Sequence, residues 1–126
     1  MRTIKLIINT KVQKYPILIG VNLISKLYPI IKKNSIEFKK CLLIVDKNIS
    51  TKIINKIKKS FKNKKTYIHF FKANEKNKSQ KNINNIIKIL LSKNFSRQDC
   101  LISIGGGITG DVGAFAASIF KRGLKF

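Results

Sequence analysis

Acidic side chains are scarce in this chain. Five Asp and Glu stand against 27 Lys and Arg among 126 residues, a formal charge of +22. Histidine occurs once, as His69. A lone histidine inside an apolar run, with no Cys or His beside it, is read as structural or as a surface residue, because zinc needs three or four side-chain ligands. The two cysteines, Cys41 and Cys100, are far apart, with no C-x-x-C pair. That excludes a disulfide framework, and both are read as small buried hydrophobes in a reducing compartment. No apolar run approaches the roughly 20 residues that span a bilayer. Met1-Arg2-Thr3-Ile4-Lys5 leads straight into alternating strand-like sequence, without the apolar core and small-residue cleavage site of a signal peptide, so a cytoplasmic location is expected. Internal repeats and long linkers are absent, and 126 residues suit one small domain with a real core.

The positive charge raises the question of a nucleic-acid partner. Only Arg2, Arg97 and Arg122 carry the forked guanidinium that reads bases; the rest of the excess is lysine. The lysines read as spread over every polar face. They accompany an excess of Asn, Ile and Phe, residues that share A/T-rich codons with Lys. A solvated lysine surface set by genome composition is therefore preferred, and a basic nucleic-acid-binding α/β protein is kept as the alternative.

Along the chain, Thr3–Ile8 and Tyr15–Ile19 read as two strands joined by a turn, with Pro16 at an edge or first position. Leu23, Ile24, Leu27, Ile30 and Ile31 recur at helical spacing, interrupted by Pro29, which should kink or shorten the helix. Cys41–Val45 is a continuous apolar run, the pattern of a parallel strand buried on both faces. Ser50 is a candidate N-cap for a helix with Ile53, Ile54, Ile57 and Phe61 on one face. Thr66–Phe71 reads as a strand and Lys72–Asn77 as a loop. Ser79 should cap a helix lined by Ile83, Ile86, Ile87, Leu90 and Leu91. Cys100–Ile104 is the last strand. This alternation predicts an α/β fold, Rossmann-like, with a mostly parallel sheet and flanking helices over residues 1–126. Ligands in such folds bind beyond the strands' C-terminal ends.

Three polar clusters fall at those ends: Asp46 with Asn48, Glu75 with Lys78, and the turn Gly105-Gly106-Gly107-Ile108-Thr109-Gly110-Asp111. Glycines let a backbone approach a ligand closely, and the free N–H groups of the helix that follows favour an anion such as a dinucleotide pyrophosphate. The spacing is not G-x-G-x-x-G, and a glycine-rich turn that binds nothing is the plain alternative.

The stretch from Gly105 to Ser118, followed by Lys121-Arg122-Gly123-Leu124-Lys125-Phe126, closely resembles the signature of 3-dehydroquinate synthase. Tyr15–Gly20, Val45–Ile49 and Glu75–Ser79 agree in the same order. The resemblance covers this whole chain and the amino-terminal third or so of a family member. It implies conversion of 3-deoxy-D-arabino-heptulosonate 7-phosphate into 3-dehydroquinate and phosphate, in the shikimate pathway of aromatic amino acid biosynthesis. It implies NAD, regenerated each turnover, and a divalent metal, zinc or cobalt. Asp46 and Asn48 would lie near the NAD, with an Asx turn ending the strand as the alternative; Glu75 and Lys78 would lie on its adenosine side, with a solvated first-turn pair as the alternative; and Gly105, Gly106, Gly107, Ile108, Thr109, Gly110 and Asp111 would run along its pyrophosphate and nicotinamide ribose. Arg122 would be an active-site arginine; a surface arginine at a helix C-terminus is the alternative. The family has Pro and a Gly before that Glu, where Lys72, Ala73 and Asn74 stand here; Asn74 tolerates positive φ.

The family's helical carboxy-terminal domain, with its metal-binding Glu and two His, has no counterpart in these residues. The chain alone is therefore expected to be inactive as a lyase, truncated or decayed, with uncovered apolar faces and poor solubility. A homodimer is implied by the resemblance alone. Another sugar-phosphate cyclase with the same nucleotide domain is the runner-up; polyol dehydrogenases also carry a triple glycine and an Asp, but fit the Lys121-Arg122-Gly123 block less well.

Overall fold

A computed structural model describes residues 2–126. The chain runs β1 (Ile4–Asn9), β2 (Lys14–Ile19), α1 (Leu27–Lys33), β3 (Lys40–Asp46), α2 (Thr51–Ser60), β4 (Lys65–Phe71), α3 (Gln80–Ser92), β5 (Cys100–Ile104) and α4 (Gly107–Ile119). Short 3-10 turns occupy Leu23–Lys26, Glu75–Asn77 and Phe120–Arg122.

β1 and β2 pair as the expected antiparallel hairpin, a two-stranded sheet of its own. The helical segment after it divides as Pro29 demands. A 3-10 turn ends at Lys26, and α1 starts late enough that Pro29 sits in its first turn, where a missing N–H costs no hydrogen bond.

The second sheet has the order β4-β3-β5, all parallel. Cys41 to Val45 of β3 are each 0% exposed, because strands flank both edges and helices cover both faces. Side chains alternate between the two faces. Leu42 and Ile44 join Ile83, Ile86 and Leu90 of α3, and Val112, Ala116 and Ala117 of α4. Cys41, Leu43 and Val45 join Ile54, Ile57 and Phe61 on the α2 side. The fold class is thus the expected α/β one.

Two local expectations need correction. Ser50 occupies the N-cap of α2, yet its side chain makes no capping bond; its carbonyl takes the N–H of Ile53 and Ile54. Leu91 of α3 is 54% exposed, since it lies one residue past the buried Leu90, on the far flank of the apolar stripe.

A buried carboxylate ties the strands together at their N-terminal ends. Asp99 is 2% exposed and accepts from Lys40 N at 3.2 Å, Ser96 N at 2.8 Å and Ser96 Oγ at 3.3 Å. Beneath α4, Gly113 lets helix and strand touch: a Cβ there would collide with Ser103 Oγ and stand 3.2 Å from Leu101 Cδ2. Gly113→Ala should therefore cost about 1–3 kcal/mol by overpacking, measured by urea unfolding. Adding Ser103→Ala should recover most of that loss.

Burial pushes the Cys41 thiol up to about 11 and the Cys100 thiol up to about 12. A thiol whose pKa is raised by folding stays protonated in the native chain after the unfolded chain has begun to ionise near 9. Its stabilising contribution is thus complete below about pH 9 and is lost as pH climbs toward 11–12. Both cysteines should resist iodoacetamide at pH 8 in the native chain and react on addition of urea, read by mass spectrometry.

Candidate functional site

The sheet topology creates one crevice. β3 and β5 are neighbours, but β3 leads into α2 on one face and β5 into α4 on the other. The chain thus diverges between the two strand ends, the arrangement in which open α/β sheets bind ligands. Asp46 closes β3 and Gly105 follows β5 at this point. A Cβ on Gly105 would stand 2.7 Å from Thr109 Oγ1 and 3.0 Å from Asp46 Cβ, so only glycine fits between them.

Asp46 makes an Asx turn: one carboxylate oxygen accepts Asn48 N at 2.9 Å, and its carbonyl accepts Ile49 N at 3.0 Å. This occupies one of its two carboxylate oxygens. Asn48 is exposed beside it.

The glycine turn is shorter than the sequence suggests. Gly106 is the N-cap, and Gly107, Ile108, Thr109, Gly110 and Asp111 already lie in α4. No side chain caps this helix, and the first intrahelical acceptor serves Gly110, whose N–H meets Gly106 O at 3.0 Å. The N–H groups ahead of it have no helical acceptor. Gly106, Gly107 and Gly110 share a further property: a Cβ on any of them would meet nothing within 4 Å. Neither positive φ nor protein packing explains these three glycines. They leave open ground over an uncapped helix N-terminus, which fits an approaching pyrophosphate.

Asn74 is extended at φ −152, not left-handed. Its side chain instead accepts Asn77 N at 2.8 Å and caps the short turn that starts at Glu75. Lys78 then projects to Asp111, with Nζ 2.9 Å from Oδ2. That hydrogen bond, then the charge of Asp111, raises the Lys78 pKa and holds the ammonium charged. The pair is exposed, so it contributes little to stability. It borders a cavity of about 330 Å³ between α3 and α4, floored by Ile83, Val112 and Phe115.

The structure therefore brings together Asp46, Asn48, Lys78, Asp111 and the glycine turn, with Glu75 exposed on the adjoining turn. Arg122 is elsewhere. It follows the other end of α4, about 20 Å away at 1.5 Å per residue. It is exposed, and Lys121 (φ 43), Arg122 (φ 67) and Gly123 (φ 110) form a left-handed run that ends the helix. His69 is half-buried on β4; burial, then Lys47, lowers its pKa and keeps the ring neutral at pH 7. Among the described residues, no three of His, Cys, Asp or Glu stand close enough to hold a metal ion.

Sequence reasoning missed the Asn74 cap, the reach of Lys78 to Asp111 and the state of Thr109. Thr109 Oγ1 is buried at 0% exposure and has no hydrogen-bond partner. An unpaired buried hydroxyl is costly, so Thr109→Val should stabilise the ligand-free chain by about 1 kcal/mol in urea unfolding.

A family model described as the amino-terminal part of 3-dehydroquinate synthase matches residues 68–126. The 3-dehydroquinate synthase of Pelagibacter ubique (strain HTCC1062) is 55% identical over 126 residues, 100% of this chain and 34% of that protein. That of Blochmanniella floridana is 33% identical over 127 residues, 97% of this chain and 34% of that protein. The chain thus spans about a third of the length of these relatives. A crystal structure of 2-deoxy-scyllo-inosose synthase complexed with carbaglucose-6-phosphate, NAD+ and Co2+ superposes with TM-score 0.84 at 20% identity, over 96% of this chain and 33% of that one. The 2-epi-5-epi-valiolone synthase of Streptomyces hygroscopicus, with NAD+ and Zn2+ bound, gives 0.58 at 16%, over 69% of this chain and 25% of that one. At these identities the two structures speak to fold alone.

Proposed function

We propose that the chain is the NAD-binding amino-terminal part of a 3-dehydroquinate synthase, the family whose amino-terminal model matches residues 68–126 and whose Pelagibacter ubique member is 55% identical. The reaction proposed for the whole enzyme is phosphate elimination and ring closure, from 3-deoxy-D-arabino-heptulosonate 7-phosphate to 3-dehydroquinate. NAD, when bound, supplies a hydride acceptor that returns its hydride before turnover ends.

The chain's own residues account for the binding. The free N–H groups at the start of α4 receive the pyrophosphate, and the helix dipole favours its charge. The spare oxygen of Asp46 suits a ribose hydroxyl, and Asn48 extends that contact. Glu75, Lys78 and the cavity beside Phe115 take the adenosine side. Asp111 then exchanges Lys78 for the nicotinamide ribose. The described residues do not fit a divalent metal, so the metal chemistry implied for the enzyme is assigned no residue in this chain. On this reading the 126 residues bind cofactor without turning over the sugar phosphate. Arg122 keeps a proposed active-site role only if the complete enzyme brings a phosphate or carboxylate to the far end of α4.

The observation that carries the proposal is the empty space around Gly106, Gly107 and Gly110. It also makes the test clean, because a methyl there meets ligand and not protein. Gly107→Ala and Gly110→Ala should leave the chain as stable or about 0.5–1 kcal/mol more so, by helix propensity. Both should weaken NAD binding at least ten-fold by calorimetry. Unchanged NAD affinity in both variants would sink the reading. A second sugar-phosphate cyclase activity is separated by offering the complete enzyme both substrates.

A further inference from the structure

Parallel α/β topology sorts charge by chain direction, and here the sorting is lopsided. Three of the five carboxylates, Asp46, Glu75 and Asp111, fall at the C-terminal ends of the strands, in the crevice. The opposite end of the sheet collects the strand N-termini and the C-termini of α1, α2 and α3. Lysines crowd there. Lys39 precedes β3, Lys65 opens β4, Lys93 follows α3 and Lys32 sits in the last turn of α1.

This basal end is concave. A cavity of about 410 Å³ is lined by Tyr28, Lys32, Phe38, Lys39, Lys64 and Lys125 among others. Two of its cations are fixed in place. Lys64 Nζ donates to Phe38 O at 2.6 Å and lies 5.6 Å from the Tyr28 ring centroid, and Lys125 Nζ donates to Glu37 O. Each such bond uses one of three ammonium donors and leaves the charge whole. Ordering these side chains in advance removes part of the entropic cost of gripping an anion. The opposing charge is small. Glu37 is the exposed carboxylate on this face, and the oxygens of Asp99 are already taken by Lys40 N, Ser96 N and Ser96 Oγ.

Lysine at a helix C-terminus also offsets the helix dipole, which accounts for Lys32 and Lys93 singly. It does not account for Lys39 and Lys65 at strand starts, nor for a cavity walled by cations. We propose that this basal face binds the phosphodiester backbone of single-stranded nucleic acid, without sequence preference, independently of the NAD crevice. A concave cationic groove with one half-buried aromatic ring, Tyr28, suits a strand that threads it. The cations that line the cavity are all lysines, which suits backbone contact and not base reading, while Arg97 stands outside the lining, next to Gln98.

The test uses the 126-residue chain and a fluorescent 15-nucleotide oligo-dT, with anisotropy read from 50 to 200 mM salt. The quartet Lys32, Lys39, Lys65 and Lys93 is changed to Gln; none of these donates to a carbonyl that holds the fold. A control quartet, Lys52, Lys56, Lys81 and Lys88 to Gln, removes equal charge from exposed positions within α2 and α3. Unfolding by urea confirms that both variants fold. The basal quartet should lose more than ten-fold in affinity and flatten the salt slope by about 3, at roughly 0.7 per phosphate contact. The control should lose less than three-fold. Equal losses would overturn the proposal in favour of diffuse charge. So would competition by millimolar inorganic phosphate as effective as that by oligo-dT, or binding confined to vesicles containing phosphatidylserine. NAD affinity should be unchanged in the basal quartet, so this proposal and the cofactor reading can fail separately.

Discussion

Everything in this molecule hangs on the complete burial of β3. Five consecutive apolar side chains, Cys41 to Val45, are withdrawn from water. At about 25 cal/mol per Å² of apolar area, each large side chain among them contributes roughly 1.5–3 kcal/mol. That burial requires a strand on each edge and a helical layer on each face. It thereby dictates two parallel neighbours, helical crossovers, and the divergence of α2 and α4 that opens the crevice. The position of Asp46 against Gly105 follows from the same constraint, since both are residues where adjacent strands run out.

The parts legible in sequence are those where local pattern and tertiary demand agree. Cys41–Val45 reads as buried from its unbroken apolar run, and α3 reads as a helix from Ile83, Ile86 and Leu90. Ser79 caps α3 as expected, accepting from Asn82 N. The hairpin and the glycine turn were also evident, each bracketed by strong turn or strand signals. What escaped depends on backbone geometry or on distant partners. Asn74 tolerates positive φ, yet its backbone is extended and its side chain caps the turn at Glu75. Ser50 holds the right position but turns its hydroxyl away. Lys78 meets Asp111 across 33 residues, a pairing no periodicity contains. The basal gathering of lysines became visible only once strand direction was known.

Some apolar surface remains without a partner among the described residues. Ile4, Leu6, Ile17 and Ile19 share one face of the hairpin by register, and each is exposed. Phe115 and Ile119 of α4 are both half exposed. A two-stranded hairpin is marginal by itself in water. Its apolar face is therefore the weakest place in this fold.

The β3–β5 register pairs Cys41 with Cys100, whereas β3–β4 pairs Cys41 with Thr66. Loop closure over the longer span is entropically dearer, and non-local pairing slows folding. During synthesis the hairpin can form within microseconds of emerging. The central strand must wait for residues some sixty positions later before its second edge is covered. The crevice needs the end of β5 as one of its walls, so it is assembled by the same event that closes the sheet. A cofactor that binds there would thus act as a reporter of finished folding, trapping the chain at the moment its last edge is sealed.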